Sequence, residues 1–468
     1  MLPFGDDSAI RLSRFAHVIH LPQLDVCVHS LTSTPVFYDQ HLAECVSQLS
    51  GSTTWGSLKE NMTESAASEA EDLLAKMVEA KLIVPADYDE LTYLESVRKT
   101  VLCGPHFDVL FMLLTDACNL DCTYCFINGG KVEGYKESQM TVETARASVD
   151  AFARWKAPEG DKSVVFYGGE PLLNKAAFVA TLEHLQQKVD EGVFAPKTDR
   201  ILITNGTLLD EELVQVIVKH GVFPYLSIDG PPELHNRQRP FRSGGGGSFN
   251  VAVAGLRMLR EVGIEPGISI TVTDEMLKDL PETLKWLAVN LEIKAVGFNM
   301  LESIPGRKYF ADDYGERFAD ALLRCQEVCD EYGIYEERVM RKAKQFVKRE
   351  VYVFDCAACG EQLTIAPDGQ VGVCQGFVGT REFFSGNVND PNYDPRVDPV
   401  FIEWSAVSPL AHDTCFDCPA LGLCGGGCPR NPYLQGKGIH GVDERFCTHV
   451  LKTQEWILDR MCQRLYDE

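Results

Sequence analysis

Between about residue 105 and residue 340, six short apolar runs alternate with amphipathic stretches. The runs are VLFMLLT, SVVFYGG, RILITNG, PYLSIDG, EPGISITVT and KAVGFNM. Their length and near-continuous hydrophobicity suit parallel strands buried on both faces. Between them lie TVETARASVDAFARW, AAFVATLEHLQQKVDEG and NVAVAGLRMLREVG, with apolar residues at helical spacing. A β-α repeat of this kind predicts an α/β fold around a parallel sheet, either doubly wound or curled into a barrel. Six strands suit an incomplete barrel. In both architectures ligands collect at the C-terminal ends of the strands. Most polar motifs of this stretch stand there.

Two segments flank the repeat, and a chain of 468 residues has room for two to three domains. Residues 1 to about 95 read as a small α+β unit with a winged-helix-like pattern. FAHVIHL and LDVCVHSL alternate like strands. FYDQHLAECVSQL and SAASEAEDLLAKMVEAKLIV have helical periodicity. No catalytic constellation occurs in this unit. From about 350 to 468, glycine, proline and cysteine rise, and helical periodicity returns only in THVLKTQEWILDRMCQRLY. Such a segment has little core of its own and needs staples, which metal supplies. The 44 basic residues against 68 acidic ones, net −24, exclude a general nucleic-acid binder. No charged-then-apolar leader and no run of about 18 apolar residues is present. The expected protein is cytoplasmic, binds no membrane, and keeps its thiols reduced, so its 17 cysteines point to metal rather than disulfides.

The cysteines fall into two clusters and a remainder. Cys118, Cys122 and Cys125, in LTDACNLDCTYCFI, follow directly on the first strand of the repeat. Three thiolates on a short loop can hold three irons of a cubane and leave the fourth open. A zinc ion completed by a distant residue is the alternative. Eight more lie between Cys356 and Cys447, too dense for core packing. Cys27, Cys45, Cys103, Cys325, Cys329 and Cys462 sit in helical or strand-like patterns and are expected as buried thiols.

CNLDCTYC resembles the signature of the radical S-adenosylmethionine (SAM) superfamily. Further motifs follow on the right strands. The resemblance implies a partial (β/α)6 barrel whose open iron chelates the SAM amino and carboxylate groups. Reductive cleavage then gives a 5′-deoxyadenosyl radical that abstracts hydrogen. Gly168, Gly169 and Glu170 in FYGGEP look like the motif that meets the SAM amino group. Two glycines at a strand end allow close backbone approach, and a carboxylate suits an ammonium. Thr204 and Asn205 in LITNGT would face the same cavity. Ser227 and Asp229 in YLSIDGP, with Arg239 in HNRQRPFR, resemble the positions that bind the SAM ribose and carboxylate. Arg237 and Arg242 compete with Arg239 for that role.

The order C-x9-G-x4-C, C-x2-C-x5-C-x3-C, C from Cys359 to Cys447 resembles the seven-cysteine SPASM domain. That domain binds two auxiliary [4Fe–4S] clusters, which makes three such clusters in all. By position, Cys359, Cys374 and Cys428 would hold the first auxiliary cluster. Cys415, Cys418, Cys424 and Cys447 would hold the second. Cys356 either completes the first set or stays free and leaves an iron open to a substrate thiolate; its spacing from Cys359 favours ligation. The combination resembles enzymes that modify ribosomally made precursor peptides. In that setting the first 95 residues look like a leader-peptide recognition element, and an electron donor such as flavodoxin or ferredoxin is implied. The run after Cys374, QGFVGTREFFSGNV, is similar to maturases that form thioethers from cysteine to carbon. Anaerobic sulfatase-maturating enzymes are similar in cluster content, but place a catalytic aspartate near the position of Gln375. Carbon–carbon crosslinking, epimerisation and backbone excision remain alternatives on the same scaffold. A non-catalytic iron–sulfur electron-transfer or scaffold protein is the alternative of another class.

Overall fold

The computed structural model describes residues 4–60, 62–244, 246–306 and 310–467. At the N-terminal end six strands form two antiparallel sheets. They are β1 (Ala9–Leu12), β2 (Ala16–His20), β3 (Asp25–His29), β4 (Thr34–Tyr38), β5 (Thr53–Thr54) and β6 (Ile83–Pro85), in the orders β5-β1-β6 and β2-β3-β4. β3 is buried along its whole length. Cys27, Val36, Trp55, Leu73 and Leu74 belong to one core that is separate from the main one.

The helical reading of FYDQHLAECVSQL is corrected here. Phe37 and Tyr38 end β4, and the α-helix covers only Ala43–Gln48. The stretch after Thr63 forms the helix Glu64–Glu79, but its last apolar residues become β6. Lys81 takes a left-handed conformation (φ 59°) that ends the helix. Ile83 and Val84 then pair with Leu12 and Arg11 of β1. β-Branched residues offered a free strand edge choose the ladder over a further helical turn.

The six apolar runs become β7 (Val109–Thr115), β8 (Ser163–Gly168), β9 (Asp199–Thr204), β10 (Phe223–Ser227), β11 (Gly267–Val272) and β12 (Ala295–Met300). All six are parallel and lie side by side in chain order. Helices such as Val142–Trp155, Lys175–Asp190 and Phe249–Glu261 connect them. Thr141 and Asn174 cap two of these helices by accepting from the backbone N–H groups of Thr144 and Ala177. β13 (Tyr335–Glu336) continues the sheet beyond β12.

The opposite edge carries an extension that periodicity did not announce. β14 (Gln362–Ile365) lies parallel to β7, and β15 (Gln370–Gly372) and β16 (Phe384–Asn387) follow antiparallel. Leu363 and Ile365 are fully buried there. The loop-rich segment is therefore welded onto the first strand of the barrel, beside the CNLDCTYC loop. The helix Glu444–Asp467 returns to pack on the helix Tyr314–Tyr332, which buries Cys325 and Cys329. Cys27, Cys45 and Cys462 are buried as well, but Cys103 is exposed, against expectation. It follows the end of the helix Glu90–Val101, where no element covers it. Among the described residues no helix is long and apolar enough to cross a membrane.

Candidate active site

A cavity of about 570 Å³ opens at the C-terminal ends of β7 to β12. Cys118, Cys122 and Cys125 line it, together with Gly168, Gly169, Glu170, Thr204, Asn205, Ser227 and Arg239. Cys356, Cys374 and Cys428 line it as well. One space thus joins the first cysteine loop, the barrel motifs and part of the second cysteine cluster.

The loop after β7 and the GGE turn after β8 are packed backbone to backbone. A Cβ on Gly168 would stand 2.1 Å from the Thr115 carbonyl oxygen, and one on Gly169 would stand 2.1 Å from that of Ala117. Gly168 also adopts φ +133°, a value that favours glycine. The turn fixes Glu170, whose buried carboxylate accepts from Thr204 Oγ1 (2.7 Å), Asn205 N (2.8 Å) and Leu172 N (3.1 Å). Burial outweighs these bonds and raises its pKa to about 7. Asn205 Nδ2 donates to Asn119 Oδ1 at 2.9 Å, and Asn119 Nδ2 donates to Thr207 Oγ1 at 2.8 Å. Asn119 sits inside the CNLDCTYC loop, so β9 and the cysteine loop hold each other. Its place between two cysteines is the sequence signal for that role.

Of the three candidate arginines, only Arg239 lines the cavity. Arg237 pairs with Glu275 on the surface, and Arg242 pairs with Glu137. Asp229 stands differently from its expected part. It is fully buried and does not line the cavity. Its oxygens accept from Arg239 Nε (2.8 Å) and Nη2 (2.9 Å), from Tyr124 Oη and from Thr271 N. Asp229 therefore aims Arg239 and leaves Ser227 and the guanidinium to face the cavity.

Burial pushes the Cys118 and Cys122 thiols up to about 12. Thiolates so costly to form stay ionised only when bonded to a cation, which an iron–sulfur core provides. Backbone N–H groups already point at sulfur: Leu120 at Cys118 (3.4 Å), Asn128 at Cys125 (3.3 Å), Gly376 at Cys374 (3.3 Å) and Gly426 at Cys424 (3.4 Å). Such bonds tune a cluster's potential. These residues fit the cofactors that the sequence implies. Among the described residues, no group of three His, Cys, Asp or Glu side chains is drawn together for a single metal ion.

The second cluster of cysteines divides in two. Cys356 hydrogen-bonds Cys359. Burial first, and then Cys356, raises the Cys374 thiol to about 12. Cys428 is raised by burial, then by Glu302, Cys356 and Cys374. Cys447 is raised by burial, then by Cys424, Cys415 and Cys418. Cys356 thus interacts with Cys359, Cys374 and Cys428, and Cys447 with Cys415, Cys418 and Cys424. Gly425, Gly426 and Gly427 run in succession with φ of 72°, 89° and 74°, a turn that brings Cys424 and Cys428 to different groups. Glu302, Arg338, Arg430 and Arg445 also line the cavity and were not anticipated. Glu302 lies just past the end of β12, where the strand-end rule would have found it.

Residues 112–287 match the radical SAM superfamily. The chain is 24% identical over 390 residues to the radical SAM cyclopropyl synthase TigE of Paramaledivibacter caminithermalis, covering 77% of each chain. It is 25% identical over 360 residues to the serine-type anaerobic sulfatase-maturating enzyme of Klebsiella aerogenes, covering 74% of this chain and 85% of the relative. Among solved structures, native anSMEcpe with bound AdoMet superposes with TM-score 0.64 at 22% identity, over 77% of this chain and 99% of the other. Streptococcus suis SuiB bound to S-adenosylmethionine superposes with TM-score 0.55 at 16% identity, over 93% of this chain and 99% of SuiB. SuiB has also been solved bound to its precursor peptide SuiA. The chain is an α/β protein with a central parallel sheet, and its residues 112–287 are a radical SAM domain.

Proposed function

We propose that this chain is a radical SAM enzyme that modifies a ribosomally made precursor peptide, forming an intrapeptide crosslink, a Cys-to-carbon thioether. The single cavity supports this reading most. Glu170 and Arg239 line it together with Cys118, Cys122 and Cys125 and with Cys356, Cys374 and Cys428. A peptide in that cavity would meet both cysteine sets.

In this reading Cys118, Cys122 and Cys125 hold three irons of the first [4Fe–4S] cluster. When bound, that cluster and SAM supply a 5′-deoxyadenosyl radical that abstracts hydrogen from a carbon of the peptide. The chain's own residues orient and shield. Glu170 takes the ammonium of SAM, and Thr204 and Asn205 hold the Glu170 carboxylate in place. Ser227 and Arg239 face the polar groups of the same molecule, with Asp229 and Tyr124 fixing the guanidinium. Cys356, Cys359, Cys374 and Cys428 hold the first auxiliary cluster, and Cys415, Cys418, Cys424 and Cys447 hold the second. The substrate thiol then approaches the first auxiliary cluster without ligating it. Residues 1 to about 95 capture the leader by strand addition at an open sheet edge. A flavodoxin or ferredoxin delivers the electron. The run after Cys374 supports the thioether, and the likeness to SuiB, solved with its precursor peptide SuiA, supports a peptide substrate.

The test is anaerobic reconstitution followed by iron and 5′-deoxyadenosine measurement. Replacing Cys118, Cys122 and Cys125 together with alanine should remove about a third of the iron, one cluster of three, and all SAM cleavage. Retained cleavage overturns the assignment. With the peptide in hand, a thioether leaves its cysteine closed to alkylation. A carbon–carbon crosslink leaves it open.

A further inference from the structure

A buried lysine stands between the two C-terminal cysteine groups. Lys342, on the helix Glu337–Lys348, is 1% exposed. Its ammonium donates to Asp355 Oδ1 at 2.8 Å and to the Cys424 carbonyl at 2.6 Å. The rings of Tyr352 and Phe446 flank it at 4.4 and 5.0 Å. Asp355 immediately precedes Cys356 and lines the cavity. Its next cation, Arg341, is 3.9 Å away. The pair thus has its positive end at Cys424, in one cysteine group, and its negative end beside Cys356, in the other. At the Cys424 thiol the field of Lys342 outweighs that of Asp355, and the Cys356 thiol lies in the field of Asp355.

Packing does not require a charge here. An apolar pair of similar volume fills such a space with no loss, and often with a gain, because burying two ions costs desolvation. What an ion pair adds is a field, and in a low-dielectric interior that field is strong. A positive charge close to an iron–sulfur cluster stabilises its reduced form, and a negative charge opposes reduction.

We infer that Lys342 and Asp355 form an oriented dipole between the two auxiliary clusters, making the Cys415/Cys418/Cys424/Cys447 cluster easier to reduce than the Cys356/Cys359/Cys374/Cys428 cluster. The inference rests on the three-cluster reading above. In that reading the substrate thiol loses its proton to solvent, closing the C–S bond between its sulfur and the substrate carbon radical releases one electron, and that electron would pass from the cavity-side cluster outward. In that transfer the first cluster is oxidised by one electron, the second is reduced by one, and no proton or bond changes. Lys342 and Asp355 are positioning residues, since neither touches substrate in this scheme.

The experiment is a potentiometric titration of the reconstituted full chain, followed by electron paramagnetic resonance. Signals are assigned with a Cys415→Ala/Cys418→Ala variant, which lacks the second auxiliary cluster. In the unmodified protein the second auxiliary midpoint should be less negative than the first, and the reverse order overturns the inference without any further variant. Lys342→Met should shift the second midpoint to more negative values. Asp355→Asn should shift the first to less negative values. Each narrows the gap, whereas Lys342→Arg preserves it. A gap unchanged in fully loaded Lys342→Met or Asp355→Asn protein also overturns the inference and leaves the cluster reading standing. Iron for fewer than three clusters in the unmodified chain overturns both.

Discussion

Glu170 shows how one side chain is set by its surroundings. Its carboxyl is buried, accepts three hydrogen bonds and has a pKa of about 7 instead of 4.5. A folded-state pKa raised above the unfolded value means that the folded chain binds the extra proton. The stability it contributes is therefore present below about 4.5 and lost as pH rises to about 7. Two to three units correspond to roughly 3 kcal/mol. SAM brings an ammonium to this carboxylate in the proposed site, so its affinity should rise over the same pH span. Glu170→Gln should flatten both dependences and weaken SAM binding about tenfold or more, the loss of one charge-assisted contact of 1.5–3 kcal/mol. Denaturation midpoints and SAM titrations at several pH values check this, and a pH profile unchanged by the substitution counts against it. Glu170 was legible in the sequence because GGEP is local. The choice of Arg239 over Arg237 and Arg242 was not, because it depends on which guanidinium Asp229 and Tyr124 reach across the strand ends.

At the level of elements, the strands of the barrel were legible because each is a short, mostly apolar run, although the expected burial on both faces is incomplete: along β9 to β12 fully buried positions alternate with partly buried or exposed ones, because one face packs under the helices and the other lines the open interior. The N-terminal unit was less so. Apart from the fully buried β3, its strands are partly exposed or only two or three residues long, and Ile83 and Val84 continue the preceding helical pattern until β1 offers them a ladder. This unit keeps its own core, yet it touches the C-terminal segment. Gly422 N donates to the Ser30 carbonyl at 2.7 Å, and Phe15, Leu31 and Leu94 share a small core with Leu410 and Leu421. A chain that begins at Asp89 keeps the capped helix Glu90–Val101 and removes both small sheets. It should cleave SAM without peptide as the full chain does. Its peptide modification at low peptide concentration should fall by about tenfold or more, equivalent to at least about 1.4 kcal/mol of recognition. Parallel assays of 5′-deoxyadenosine and modified peptide separate the two effects. Equal peptide modification by both chains removes the recognition role.

For the whole molecule, the decisive feature is that the last hundred or so residues complete the barrel rather than append to it. β14 covers the edge of β7, and the helix Glu444–Asp467 covers Tyr314–Tyr332. A chain ending at Arg349 should therefore expose an apolar strand edge and a helix face, and should aggregate rather than fold as a cluster-poor barrel. Soluble yield and resistance to proteolysis check this, and a soluble, SAM-cleaving barrel would contradict it. The sequence by itself determined that the strands are parallel and that the cysteine loop follows a strand end, because each depends on neighbours within a few residues. Only the tertiary structure decided that β14 joins the sheet beside β7, that Cys356 stands with Cys359, Cys374 and Cys428, that Asp229 serves Arg239, and that Lys342 lies between the two groups. Those arrangements pair residues tens to hundreds of positions apart, and which partner a buried charge or an open strand edge finds is settled by packing in three dimensions, where no local pattern reports it.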